Sequence, residues 1–302
     1  MSASLSVGPG DPVALVSPGS STTARGVAFA RRLVESWGLR VHSASTPSPR
    51  HGYLAATDAE RLAEFQQAWS DPDVRAVLCL RGGYGCQRIV DDVDWAAGRK
   101  LLVGFSDVTA LQLGLYTVLG LPSLHGPCVG AEPPVSPYAA ESLRLAMTSF
   151  GTASRVAVRA DEPTAALCRG RGTATGVLLG GNLAVLATSL VDTGPLRGAI
   201  LVLEDVDEPP YRVDRYLTML GRRGVLGALA AVALGRFTGR AQTVEDAALV
   251  LDVLHDRLTR YGVDFMGGLP VGHGPDAVAV PLGQQATLDF DAGQLRLAGG
   301  VG

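Results

Sequence analysis

Lysine is nearly missing from this chain: Lys100 stands alone against 25 arginines. The arginines are scattered, the formal net charge is −3 and the pI is near 6, so no cationic stripe offers itself to a nucleic acid. Cysteine is scarce as well. Cys79, Cys86, Cys128 and Cys168 form no CxxC pair and lie mostly in apolar, strand-like surroundings. That predicts reduced structural thiols and a cytoplasmic setting, and argues against a disulfide framework. No HExxH, paired cysteines or grouped His and Asp ligands occur, so neither a metal site nor a cofactor is predicted. Residues 1–16 lack the basic start and apolar core of a signal peptide, and the longest apolar run, 225–234, is too short to cross a bilayer. A soluble intracellular chain with no membrane partner is expected.

What is present is a large apolar complement, 47% of 302 residues, enough to build one large domain or two ordinary ones. Residues 13–16 read as a buried strand, followed by a helix over 25–37 that Gly38 ends and a strand at 39–41. A Ser-, Pro- and Thr-rich loop covers 43–57. Asp58 is expected to cap a helix carrying Leu62, Phe65 and Trp69, which Asp71-Pro72 stops. A strand at 74–80 breaks at Arg81-Gly82-Gly83-Tyr84-Gly85, and a short helix runs to Val93. Leu101-Leu102-Val103-Gly104-Phe105 is a further strand, followed by an amphipathic helix with Leu111, Leu115 and Val118. Such alternation predicts an α/β fold with a parallel sheet, in which ligands sit at the carboxyl ends of the strands. Residues 1–130 are assigned to that domain, 131–175 to an interdomain crossover and 176–302 to a mixed domain that ends in β structure. In the last part, helices are expected over 182–191, 211–220 and 243–261, and strands at 176–179, 199–203, 228–234 and 277–282. Two short strands, 286–290 and 294–297, turn on Asp291-Ala292-Gly293 as a hairpin.

The organising stretch is Gly104-Phe105-Ser106-Asp107. A serine at a strand-to-helix junction sits beside unspent N–H groups at the positive end of a helix, where an α/β hydrolase places its nucleophile. The same position also suits a plain helix cap. Gly82-Gly83-Tyr84-Gly85 does not fit GxGxxG, because Arg88 stands where the last glycine belongs, and no GxxxxGK occurs. Its bare backbone could face an anionic centre, or merely reverse the chain. His273, between Gly272 and Gly274, projects without steric cover, and His125 is its rival as a base. Glu204 is the first acid after a buried strand, with Asp205, Asp207 and Glu208 in competition. Taken in order, serine, glutamate and histidine make a complete hydrolase set.

These motifs, with Gly180-Gly181-Asn182-Leu183, Tyr211 and Asp214-Arg215, occur in an order that resembles the LD-carboxypeptidase (muramoyltetrapeptide carboxypeptidase) family of serine peptidases. The opening 10–18 and His51-Gly52-Tyr53-Leu54 match as well, so the resemblance covers nearly the whole chain. It implies a Rossmann-like parallel-sheet N-terminal domain, a smaller β-rich mixed C-terminal domain, and a homodimer. It implies Ser106 as nucleophile with Glu204 and His273 completing the relay, and an oxyanion hole of backbone N–H groups assigned to Gly83 and Asp107. The implied substrate is a murein tetrapeptide that loses its terminal D-alanine in cell-wall recycling. One branch of the family, the microcin C self-immunity proteins, hydrolyses aminoacyl-nucleotides and is expected to hold the nucleotide with an aromatic-bearing loop in the C-terminal half. Here Trp37, Trp69 and Trp95 are all N-terminal, which disfavours that alternative. A non-catalytic α/β small-molecule binding protein is the remaining alternative. Val108 stands where a generic GxSxG elbow would have its last glycine, which argues against an ordinary esterase.

Overall fold

The computed structural model describes residues 5–45, 51–132, 134–189, 193–239 and 243–299. They divide into two compact units, the first comprising the chain up to Gly151 together with Ala279–Pro281, the second Thr152–Val278 and the chain from Leu282.

In the first unit five parallel strands, β1 (Pro12–Val16), β2 (Arg40–Ala44), β3 (Ala76–Cys79), β4 (Leu101–Gly104) and β5 (Ser123–His125), lie in the order β2-β1-β3-β4-β5. Val13, Leu15, Ala76, Leu78, Leu101 and Val103 share one face. That face is packed by Ala30 and Val34 of helix α1 (Ala24–Ser36), and by Leu143 and Met147 of a later helix, Pro137–Thr148. Ala14, Val16, Val77 and Leu102 alternate with the first set and are as deeply buried, with α2 (Asp58–Ser70) against β1 and α3 (Thr109–Leu119) against β4. A strand covered on both sides has no polar face to show, which is why these runs are apolar throughout and not alternating. Thr23 caps α1 through the Gly26 N–H; on α2 the cap is Thr57 and not Asp58, because the Thr57 hydroxyl and the Glu60 carboxylate close a reciprocal capping box.

Two further local expectations differ from the structure. The helix expected from Gly85 to Val93 is instead two 3₁₀ turns, Cys86–Arg88 and Val90–Asp92, and Asp94 opens a third, Trp95–Ala97, by accepting the Ala96 N–H. Val118 is 61% exposed while Leu111 and Leu115 are fully buried; it lies in the last turn of α3, which the left-handed Gly120 ends. Residues 46–50 of the Ser/Pro loop and 190–191 of the helix expected over 182–191 lie outside the described residues.

The helix Pro137–Thr148 is α4, and the second unit follows with strands β6 (Ser154–Ala157), β7 (Cys168–Arg169), β8 (Thr173–Asn182), β9 (Ile200–Val206), β10 (Ala231–Thr238) and β11 (Phe265–Met266). Strand β12 (Val280–Leu282) is the edge neighbour of β5 in the first sheet, an excursion that the sequence does not announce. The hairpin β13 (Gln285–Asp289) and β14 (Gln294–Leu297) closes the chain as predicted. The second sheet runs β6-β14-β13-β8-β9-β10-β11-β7. Its two styles meet in β8, whose residues 173–177 pair antiparallel with β13 and whose residues 178–182 pair parallel with β9. Helices α5 (Leu183–Ser189), α6 (Pro210–Arg222) and α7 (Val244–Arg260) bury Leu186, Leu217 and Leu254. A parallel first sheet and a mixed second one are the fold class read from the sequence.

Truncating Leu102, fully buried in β4, should cost about 2–5 kcal/mol of stability, whereas Val118→Ala on the exposed end of α3 should stay within about 0.5 kcal/mol. Urea unfolding of the two variants beside the parent checks both figures.

Candidate active site

Strand β4 ends at Gly104, and Phe105 is still extended. Ser106 then takes φ 60°, and a 3₁₀ turn, Ser106–Val108, leads into α3. Among the described residues only Asp207, at φ 59°, is another non-glycine residue in the left-handed region. That conformation costs roughly 1–2 kcal/mol per residue, and observed strain of this kind marks functional sites. The sequence fits the turn closely: a Cβ on Gly104 would lie 2.2 Å from Val108 Cγ1.

The loop after β3 runs directly against this turn. A Cβ on Gly82 would stand 2.8 Å from both Phe105 O and Ser106 Cβ, and 3.0 Å from Asp107 N. The loop after β1 locks in beside it, with Ser20 N donating to Gly82 O at 3.0 Å and Gly83 (φ 91°) lying against Ser20. Three strand-end loops therefore meet around Ser106, and Gly83 and Asp107 are both part of that meeting. Asp107 is buried; its carboxylate accepts the Cys86 N–H at 2.8 Å, and burial raises its pKa. Arg61, also buried, donates from Nη1 to Gly85 O at 2.9 Å and to Pro18 O, tying two of the loops together. Nothing in the sequence singles out Arg61 among so many arginines: besides Asp58 on its own helix, its partners are carbonyls from distant loops.

In the second unit, Glu204 near the end of β9 is 0% exposed, and its Oε2 lies 2.7 Å from His273 Nδ1. The His273 side chain keeps 24% of its surface exposed. Close approach depends on glycine: a Cβ on Gly272 (φ 117°) would fall 2.8 Å from Glu204 Cβ, and one on Gly235 would fall 2.3 Å from Val271 O. Burial alone would lower the imidazole pKa, but the Glu204 charge and hydrogen bond, with Asp205 and Asp207 behind them, raise it above its usual 6.5.

The neighbouring acids have other work. Asp205 points to the opposite face, accepting Asn182 Nδ2 at 2.8 Å and the Ala184 N–H at 3.0 Å at the start of α5. Burial and the adjacent Glu204 push its pKa up to about 7. Glu208 pairs with Arg212 at the surface. His125, the last residue of β5, is fully buried, with Nδ1 3.3 Å from Gln112 Oε1 and its ring 5.0 Å from that of Phe105, the residue before Ser106.

A model of the LD-carboxypeptidase N-terminal domain matches residues 13–126, and one of the LD-carboxypeptidase C-terminal domain matches residues 175–288. The chain belongs to the LD-carboxypeptidase family. A murein tetrapeptide carboxypeptidase of Pseudomonas aeruginosa is 35% identical over 289 residues, 92% of each chain. The microcin C7 self-immunity protein MccF of Escherichia coli is 25% identical over 297 residues, 88% of this chain and 85% of that one. The crystal structure of muramoyltetrapeptide carboxypeptidase from Oxalobacter formigenes matches with a TM-score of 0.79 at 30% identity, over 95% of this chain and 98% of that chain.

In this LD-carboxypeptidase-family chain, Ser106, Gly83 and Asp107 stand together on the first unit, and Glu204 and His273 stand together on the second. Among the described residues no three His, Cys, Asp or Glu side chains are grouped to hold a metal ion, and no helix is long and apolar enough to cross a membrane. Replacing Glu204 by Gln should lower the His273 pKa, since burial, which opposes the charged ring, stays in place while the Glu204 charge that raises it is removed. Histidine NMR titration of the two proteins, with the resonance assigned from His273→Gln, checks the shift.

Proposed function

We propose that the protein is a serine carboxypeptidase that cuts an L,D-peptide bond and releases terminal D-alanine from a murein tetrapeptide. The observation that carries this reading is the 2.7 Å pairing of a fully buried glutamate with a half-buried, glycine-flanked histidine, in a family of LD-carboxypeptidases. Support for the substrate comes from relatives named for murein tetrapeptide and muramoyltetrapeptide cleavage.

Ser106 Oγ attacks the scissile carbonyl carbon while its proton passes to Nε2 of His273. Glu204 holds the Nδ1–H and offsets the positive charge that develops on the ring. The oxyanion accepts hydrogen bonds from the Gly83 and Asp107 N–H groups, each worth roughly 3 kcal/mol in comparable sites. The imidazolium returns its proton to the departing amine as the C–N bond breaks. Water, deprotonated by the same imidazole, then frees the acyl group and restores Ser106. Ser106→Ala should lower turnover by about 10⁴-fold or more, read by mass spectrometry of D-alanine release. An aminoacyl sulfamoyl adenylate assayed in parallel separates the tetrapeptide reading from the immunity-type hydrolysis that the similarity to MccF makes its rival.

Because only the neutral imidazole can accept the serine proton, kcat/KM should fall on the acid side, about tenfold per pH unit, with its midpoint above 6.5. A rate that stayed flat from pH 8 down to pH 5 would contradict His273 as the base.

A further inference from the structure

Strand β10 does more than flank β9. Its Arg236 N–H donates to Val271 O at 2.8 Å, and two residues on, Thr238 Oγ1 donates to His273 O at 3.2 Å. Between those two contacts the Arg236 side chain lies beneath the next residue of the loop, where a Cβ on Gly274 would be 2.1 Å from Nη1. The guanidinium is fixed from its other side by Glu162, with Nε to Oε2 at 2.6 Å and Nη2 to Oε1 at 2.5 Å, and both residues are buried. Glu162 is itself held in place by the segment around it. Arg159 N donates to Gly268 O at 2.8 Å, and the fully buried Thr164 hydroxyl donates to Gly235 O at 3.0 Å and accepts from Gly268 N at 2.9 Å.

Stability gives no reason for such a pair. A buried ion pair is commonly matched or bettered by apolar side chains of similar volume, and Arg236 Nη1, which finds no hydrogen-bond partner among the described residues, adds a further desolvation cost. A forked, planar group anchored by a two-point bond does supply a fixed surface.

We propose that Arg236, clamped by Glu162, is a positioning residue: it forms the floor on which the Val271–Gly274 loop rests, and so sets the His273 ring in its contact with Glu204. The proposal rests on the reading of His273 as the base. A displacement of about 1 Å in a reacting group can cost on the order of 10²-fold in rate.

The test uses the full chain with Arg236→Met/Glu162→Met and, separately, Arg236→Lys, which keeps the charge and loses the fork. For the double variant the expected result is a cooperative thermal transition, kcat down about 10²-fold on the tetrapeptide with KM within about threefold, and a His273 titration moved to lower pH as its Glu204 contact loosens. Arg236→Lys should lower kcat about tenfold with a smaller shift of the same sign, and it decides the matter if the double variant does not fold. Wild-type kcat together with a wild-type His273 titration in either folded variant would overturn the proposal, as would a rise in KM alone. Failure of the parent protein to cleave the tetrapeptide would instead overturn the assigned function, leaving the titration to judge the clamp.

Discussion

A carboxylate with no exposed surface is the constraint from which much of the second unit follows. Glu204 lies on a strand whose neighbours are fully buried leucines and valines, and there an ionised acid without a partner would be very costly. His273 meets it at 2.7 Å, and the loop that delivers the imidazole has glycine on either side of it, Gly272 lying directly against Glu204. Gly235 and Gly272 mark where backbone and side chain nearly touch. The imidazole becomes more basic as a result, which stabilises the carboxylate.

The first unit reaches a comparable result with backbone in place of charge. Loops following β1, β3 and β4 crowd one point at the carboxyl end of the sheet, and Gly82, Gly83 and Gly104 leave no room for side chains there. Ser106 is pinned in a left-handed conformation by that crowding. Arg61, itself buried, fastens the arrangement through the Pro18 and Gly85 carbonyls while its other terminal nitrogen pairs with Asp58.

Much of this is legible in the sequence, for identifiable reasons. A strand buried on both faces must be an unbroken apolar run, so 13–16 and 101–104 declare themselves, and the serine after the second inherits its place. Glycines flanking a histidine are rare enough to be noticed. What is not legible depends on partners far away in the chain. Arg61 and Arg236 look like any other arginine until the carbonyls or the glutamate they serve are in view. Among the acids of 204–208 the strand alternation decides which one faces the histidine, yet the phase of that alternation shows only once β9 is seen between β8 and β10. The 3₁₀ turns after Gly85 are not announced: the stretch up to Val93 reads equally well as a short helix, and the last turn is opened by the Asp94 side chain.

The strand Val280–Leu282 carries a consequence of its own. After leaving the second unit the polymer returns to lay one edge strand on the first sheet, then goes back to complete the hairpin. The two halves are thus stitched by more than one thread. A gene fragment ending near residue 150 would leave the β5 flank raw, inviting another chain to pair there, while the complementary fragment would carry an orphaned strand. Neither half of the chain is a cassette that could be cut out at one point.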